Sequence, residues 1–156
     1  MLTKPLPSLK SRSERTAPRI DDAPLCRISL EVSRQCNLAC VYCYSRAGLD
    51  VTPVMDAAEV RGVIDQAVAL GARLVSFVWG GEPLVWPGLF DADVSPLLHA
   101  NARGCYAYLY SNCSCVGSAE AARLAALDVS VIGKCNSLRP EIQDRLAGVP
   151  GAHGAI

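Results

Sequence analysis

The sequence predicts an α/β fold in which parallel strands alternate with helices in a sheet or partial barrel. From residue 25 to residue 156, short apolar segments of strand period alternate with amphipathic segments of helical period. This order is typical of βαβ units, and at roughly 30 residues per unit it predicts about four strand-helix repeats. Such sheets bind ligands at the carboxyl ends of their strands, so we expect the functional residues at that edge.

The first strand and the first helix are indicated by local patterns. Residues 27–33 alternate apolar and polar side chains with period two, which predicts a strand. Asp56 and Glu59 have the spacing of a capping box at the start of a helix, and Gly71 is placed to end that helix.

Three more strands and three more helices are predicted in alternation along the rest of the chain. The strands are Leu74–Trp79, Cys105–Tyr110 and Val129–Lys134. The helices are Pro96–Arg103, a segment capped by Ser118 that runs through Leu127, and one that begins near Pro140 and frays at Gly148. We predict no strand in residues 149–156, which are rich in glycine and alanine.

Residues 1–24 are predicted to be a disordered basic, proline-rich arm ahead of a core domain at 25–156. The first 19 positions hold five basic residues, one acidic residue and three prolines, a composition that does not bury a core. We prefer a solvated arm to a nucleic-acid-binding tail. Over the whole chain 15 basic and 15 acidic residues cancel, so no nucleic-acid partner is expected.

Cysteine usage and the absence of long apolar runs indicate the cell compartment. No run approaches the roughly 20 apolar residues that cross a bilayer, and the basic N-terminus lacks the apolar stretch of a signal peptide. We therefore expect a cytoplasmic protein with no membrane contact. In that setting eight cysteines favour metal or redox chemistry, and with only two histidines any metal site would consist chiefly of sulfur ligands.

Three cysteines follow directly on the first strand. Cys36, Cys40 and Cys43 fall within eight residues at the expected ligand-binding edge. Thiolates so close in sequence can converge on one metal centre, and three of them suit an iron-sulfur cluster with one iron open to a non-protein ligand. A zinc knuckle with a borrowed fourth ligand and buried free cysteines are the alternatives on this motif alone.

The C-x3-C-x2-C loop, with Tyr42 just before its third cysteine, resembles that of the radical S-adenosylmethionine (SAM) enzymes. Gly80-Gly81-Glu82-Pro83 follows the second strand, where that family carries its GGEP motif. An ordinary turn is the alternative for these four residues, but two motifs in the right order are more specific than one. Short segments at 133–137 and 146–148 resemble the peptide-maturing (SPASM-type) and molybdenum-cofactor-type branch.

The resemblance implies a role for each motif. Cys36, Cys40 and Cys43 would hold a [4Fe-4S] cluster, with the amino and carboxylate groups of SAM on the fourth iron. Tyr42 would lie near the adenine, and the stretch from Gly80 to Pro83 would meet the methionyl amino group. Reductive cleavage of SAM would yield a 5′-deoxyadenosyl radical that takes hydrogen from a peptide or small-metabolite substrate.

Polar residues at the ends of the third and fourth strands are further candidates for the SAM site. Ser111, Asn112 and Ser137, with Lys134 and Asn136, are placed to bond the ribose or carboxylate of SAM. The alternative for Asn112 and Ser137 is that they cap or turn the chain.

Three cysteines near the same edge are not part of the loop motif. Cys113, Cys115 and Cys135 could form a second cluster or a redox pair. Buried or idle thiols are the alternative, and we take that alternative as the default.

The resemblance also bears on completeness and partners. The family's usual core has six strand-helix units against about four here, so we expect the N-terminal part of a radical SAM core, from a truncated chain or one half of a split enzyme. An exposed edge on the fourth strand favours a partner chain that completes the barrel. We also expect an electron donor of flavodoxin or ferredoxin type. A catalytically incompetent cluster-binding fragment is the alternative to an enzyme.

Overall fold

The computed structural model describes residues 25–48, 55–78, 80–91 and 93–156. These residues form a four-stranded sheet in the order β1-β2-β3-β4, and each strand is parallel to its neighbours. The strands are β1 (Arg27–Leu30), β2 (Leu74–Phe77), β3 (Tyr106–Ser111) and β4 (Ser130–Gly133). The helices are α1 (Ala57–Ala69), α2 (Pro96–Ala102), α3 (Ser118–Ala126), α4 (Pro140–Ala147) and α5 (Ala152–Ala155).

The predicted alternation of parallel strands and helices is confirmed, but β1, β2 and β4 are shorter than predicted, and β3 is shifted by one residue to Tyr106–Ser111. β1 ends at Leu30 rather than at residue 33, because its partner β2 ends opposite it at Phe77. Ser33 pairs only through an isolated bridge to Gly80. β4 is one residue shorter at each end than predicted. Trp79 and the arm at residues 1–24 lie outside the described residues.

The helix ends show where local signals suffice and where they do not. The Asp56 carboxylate accepts the Glu59 N–H at 2.8 Å and Glu59 reciprocates, so the capping box is confirmed. The expected cap at Ser118 is wrong by one position. Gly117 occupies the cap, because the Glu120 carboxylate accepts the N–H of Gly117 at 3.1 Å and draws that residue to the helix start.

The hydrophobic core lies between the sheet and helices α1, α2 and α3. Val75, Phe77 and Leu109 from the strands pack with Ile64 and Leu97 from the helices, and all five are fully buried. At β4, by contrast, all four residues are exposed. No helix in the described part of the chain is both long and apolar enough to cross a membrane.

Candidate functional site

A cavity of about 430 Å³ opens at the carboxyl-terminal ends of β2, β3 and β4. Its lining includes Gly81 after β2, Ser111 and Asn112 at the end of β3, and Lys134 and Asn136 after β4. These five residues come from three segments that are far apart in sequence. The cavity is therefore where a parallel sheet is expected to bind its ligand.

The glycines of the GGEP turn bring it against the chain that leads to the cysteines. Gly80 has a φ of +76° and pairs with Ser33. A Cβ on Gly81 would lie 2.0 Å from the carbonyl oxygen of Gln35. The same carbonyl accepts the Glu82 N–H at 2.8 Å. Only glycine permits this approach of two backbones, so the turn and the cysteine loop share one backbone junction.

Glu82 joins the end of β2 to the end of β3. Its side chain is 1% exposed, and its carboxylate accepts hydrogen bonds from the Ser111 hydroxyl at 2.8 Å, the Asn112 N–H at 2.7 Å and the Leu84 N–H at 3.2 Å. Burial raises the pKa of Glu82, although these hydrogen bonds oppose the rise. Pro83 is buried and begins a short 3-10 helix, Pro83–Val85. The hydroxyl of Ser111 therefore donates its hydrogen bond to Glu82.

The cysteine loop places Cys36, Cys40 and Cys43 together with their thiols free and partly exposed. Burial raises the pKa of Cys36, as do the nearby charges of Glu82 and the other two cysteines, while a backbone bond from Leu38 lowers it. The proximity of these charges shows that the three side chains lie in one region of the edge.

Cys43 lies in a different environment from Cys36. Its Sγ is 3.1 Å from the hydroxyl of Ser45, and the carbonyl of Gly80 is the alternative acceptor within reach of that hydroxyl. Partial burial raises the pKa of Cys43, but hydrogen bonds from the Ser45 side chain and the backbone of residues 45–47 outweigh it, so that the pKa is lowered. A thiolate is the form that binds metal, and this part of the loop favours it.

The donor set of the loop fits an iron-sulfur cluster. Three thiols supply only soft sulfur ligands, which suit iron-sulfur clusters, and one ligand fewer than four leaves an iron open. As they stand, no three His, Cys, Asp or Glu side chains among the described residues are arranged to hold a metal ion. Ligation therefore requires the exposed thiols to turn towards one another.

A side-chain network that the sequence did not reveal connects the loop to β3. Asn112 donates from Nδ2 to Asn37 Oδ1 at 3.0 Å and lies 3.9 Å from Cys36 Sγ. Asn37 in turn donates to Ser114 Oγ at 2.7 Å, and Ser114 donates to Asn112 Oδ1 at 2.6 Å. The position of Asn37 inside the cysteine motif is the one signal that could have identified it.

Tyr42 packs against the segment that follows β4. Its hydroxyl accepts a hydrogen bond from Asn136 Nδ2 at 2.5 Å, and the Lys134 ammonium lies 4.6 Å from the centre of its ring. The structure does not bring Ser137 into the cavity lining. Its N–H donates to Gln143 Oε1 at 3.1 Å, and its hydroxyl accepts the Arg139 N–H at 3.1 Å, so it turns the chain towards α4.

The remaining cysteines of the edge have separate surroundings. Cys113 adopts a φ of +64°, and its Sγ lies against the backbone of Gly133. Cys115 accepts a hydrogen bond from Asn37 Nδ2 at 3.4 Å. Cys135 is exposed. These contacts assign the three thiols to no common site in the described residues.

The sequence is similar to curated proteins that include a mycofactocin maturase and a heme synthase. It is 29% identical over 149 residues to the mycofactocin maturase MftC of Mycobacterium tuberculosis (strain CDC 1551 / Oshkosh), covering 94% of this chain and 35% of that protein. It is 28% identical over 135 residues to the AdoMet-dependent heme synthase of Oleidesulfovibrio alaskensis, covering 85% of this chain and 34% of that protein. The chain thus spans about a third of the length of these relatives.

Solved structures share the fold. Streptococcus suis SuiB bound to precursor peptide SuiA superposes with a TM-score of 0.69 at 18% identity, over 83% of this chain and 28% of SuiB. Native anSMEcpe with bound AdoMet gives a TM-score of 0.64 at 18% identity, over 85% of this chain and 40% of that protein. The sheet described above therefore has the architecture of the partial barrels in these proteins.

The family model of the radical SAM superfamily matches residues 30–149. That range contains the cysteine loop, the GGEP turn and the strand ends that line the cavity. With both motifs at the carboxyl edge of a parallel sheet of matching architecture, this chain belongs to the radical SAM superfamily.

Proposed function

We propose that this chain forms the cofactor-binding part of a radical SAM enzyme that holds a [4Fe-4S] cluster and SAM. The observation that carries the proposal is that hydrogen bonds through Asn112 join the GGEP turn to the cysteine loop. Glu82 of the GGEP turn binds the backbone of Asn112, and the side chain of Asn112 reaches Asn37 and Cys36 in the cysteine loop. The cavity opens directly beside these residues.

Cys36, Cys40 and Cys43 are the proposed cluster ligands. When bound, the cluster and SAM supply a 5′-deoxyadenosyl radical that removes hydrogen from a substrate. The partly exposed loop leaves the thiols free to rotate onto iron. Hydrogen bonds at Cys43 and Cys36 then orient the sulfurs, as outer partners do in metal sites.

The wall of the cavity offers groups that suit SAM. Gly81 lines the cavity without a side chain, so its backbone can be approached by a methionyl ammonium, whereas Gly80 is buried against Glu31 and supports the turn. Lys134 in the lining supplies a cation for a carboxylate. Tyr42 is not part of the lining, but its ring lies beside Lys134 and supplies an aromatic face for an adenine. Asn112 shapes the wall beside them. We assign Ser111, and Glu82 that binds its hydroxyl, to shaping this wall. Pro83 is buried in the turn, and Ser137 lies outside the lining and turns the chain towards α4, so neither is assigned a contact with SAM.

The substrate and partners of the enzyme are proposed from the shared fold and from the exposed edge of the sheet. SuiB was solved with its precursor peptide, and this chain shares its fold, so a peptide is the first candidate and a small metabolite the second. An electron donor of flavodoxin or ferredoxin type would reduce the cluster. The exposed β4 is the edge on which further barrel units, from this protein or a partner, would pair. We place the protein in the cytoplasm, with residues 25–156 as the N-terminal part of the core.

The test is reductive cleavage of SAM. The chain is reconstituted anaerobically with iron and sulfide and then reduced, and 5′-deoxyadenosine is measured by chromatography. Wild-type protein should carry about four irons and release 5′-deoxyadenosine, and Cys40→Ala should lose both. Cys26→Ala is the matched control, because Cys26 is an exposed thiol outside the loop.

Other outcomes separate the alternatives. A brown protein without cleavage would identify a cluster-binding fragment or one half of a split enzyme. A colourless protein that binds zinc would overturn the proposal. Iron above about four per chain would point to a second cluster at Cys113, Cys115 and Cys135, and iron at or below that level would exclude it.

A further inference from the structure

The end of α4 is hydrogen-bonded to the backbone on both sides of Cys40. The Ala39 N–H donates to the Ala147 carbonyl at 3.0 Å, and the Val41 N–H donates to the Leu146 carbonyl at 3.1 Å. The last carbonyls of a helix have no partner within it. Here the cysteine loop supplies that partner, so the final turn of α4 and the middle of the loop complete each other.

Gly148 makes this docking sterically feasible. It adopts a φ of +70°, which ends α4 in the left-handed conformation. A Cβ at Gly148 would lie 2.1 Å from the carbonyl oxygen of Ala39. The obstructing atom belongs to the backbone of the loop, so it could not move aside as a flexible side chain would. Any side chain at position 148 must push the loop away.

Apolar packing reinforces the same contact. Leu38, Ala147 and Ala152 form a small buried cluster, separate from the main core, with Cys36 and Cys40 packed against it. The Asp144 carboxylate accepts the N–H groups of Gly151 at 2.6 Å and His153 at 2.8 Å, which holds α5 in place beneath the loop. The segment from α4 to α5 therefore forms a base for the loop.

We propose that Gly148 is a positioning residue for the cluster ligand Cys40, acting through the docked end of α4. The inference rests on the proposed function, because Cys40 is a cluster ligand only if the chain binds the cluster. By fixing the residues before and after Cys40, the contact restricts the directions in which its thiol can point. A loop held in this way loses less conformational freedom when its three thiols take up iron.

The test compares Gly148→Ala with Gly151→Ala in the full chain. Gly151 also has a positive φ, of +80°, but a Cβ there meets nothing within 4 Å. Both variants therefore strain the backbone, and only the first displaces the loop. In the metal-free protein, hydrogen exchange at the Ala39 and Val41 amides should quicken at least about tenfold in Gly148→Ala and little in Gly151→Ala.

Iron uptake and electron paramagnetic resonance (EPR) of the reduced cluster are the second readout. Gly148→Ala should retain fewer than about one iron per chain, with an altered EPR spectrum in the loaded fraction, and Gly151→Ala should retain about four with the wild-type spectrum. Equal amide protection or equal iron in the two variants would overturn the inference alone. Wild-type protein that takes up no iron would overturn the proposed function and this inference with it.

A second variant addresses the case in which Gly148→Ala unfolds. Exchange at Val75 in the core of β2 reports the state of the sheet. If that amide also loses protection, Leu38→Ala replaces Gly148→Ala, because it removes packing against α4 without backbone strain. It should quicken exchange at Ala39 and reduce iron retention. Unchanged iron in Leu38→Ala would overturn the inference.

Discussion

The GGEP turn and the cysteine loop are built in opposite ways. The turn is closed by the protein itself: Glu82 is 1% exposed, and its carboxylate accepts three hydrogen bonds from neighbouring residues. The loop is open, with Val41 70% and Tyr44 77% exposed and its thiols in partial contact with solvent. The loop is held from outside, through the Asn37 side chain by Asn112 after β3 and through its backbone by the end of α4.

This difference distinguishes a residue that stabilises the fold from residues that are available to bind a metal. A buried carboxylate with three donors is part of the folded structure, because removing it leaves those donors unpaired. Partly exposed thiols contribute less to the folded state than a fully bonded buried group and remain available for chemistry. Changes at the turn should therefore act on stability, and changes in the loop should act on reactivity and metal binding.

The largest stability effect should come from Glu82→Ala. The change leaves the Ser111 hydroxyl and the N–H groups of Asn112 and Leu84 without their acceptor. Orphaned buried donors each destabilise by roughly 1–3 kcal/mol, so we expect the free energy of unfolding to fall by about 3 kcal/mol in urea titration.

Glu141→Ala is the control, since Glu141 forms an ion pair with Arg139 at the surface. It should change the free energy of unfolding by less than about 1 kcal/mol. Equal losses in the two variants would show that the Glu82 carboxylate holds the fold no more strongly than a surface carboxylate does.

Thiol reactivity should sharpen the comparison within the loop. Hydrogen bonds from Ser45 and the adjacent backbone lower the pKa of Cys43 against the effect of its partial burial, whereas burial raises the pKa of Cys36. At neutral pH, iodoacetamide should therefore alkylate Cys43 faster than Cys36 in metal-free protein, as followed by peptide mass spectrometry. Ser45→Ala should narrow the gap. Faster labelling of Cys36 would contradict the assigned environments.

A smaller effect should appear in the pH dependence of Glu82→Gln. Burial raises the pKa of Glu82 in the folded protein above its ordinary value of 4.5. Ionisation is therefore less favourable in the folded state, and the wild type should lose stability relative to Glu82→Gln as the pH rises through the raised pKa. We expect the difference in free energy of unfolding between the two proteins to change in this direction between pH 4 and pH 7 in urea titrations. A difference independent of pH would show that the turn does not penalise the charge.

Much of the fold could be predicted because its signals are local. The Asp56 capping box, the alternation of strands with helices and the two motifs each occupy a few consecutive residues, and periodicity is determined by side chains close in sequence. The helix α5 was missed because four residues rich in glycine and alanine carry no such signal. Its position depends on Asp144, which lies before α5 in the chain and binds its first turn.

The sequence by itself determined the family, the order of elements and the residues that make the edge reactive, since motifs are read from neighbouring positions. Only the tertiary structure decided what those residues contact. It turned Glu82 towards Ser111, 29 positions away, directed Ser137 away from the cavity, and brought the end of α4 to Cys40. The physical reason is that a hydrogen bond or a steric contact depends on distance in space. Parallel strands joined by helical crossovers bring distant segments together at one edge, and no local pattern records which pairs will meet there.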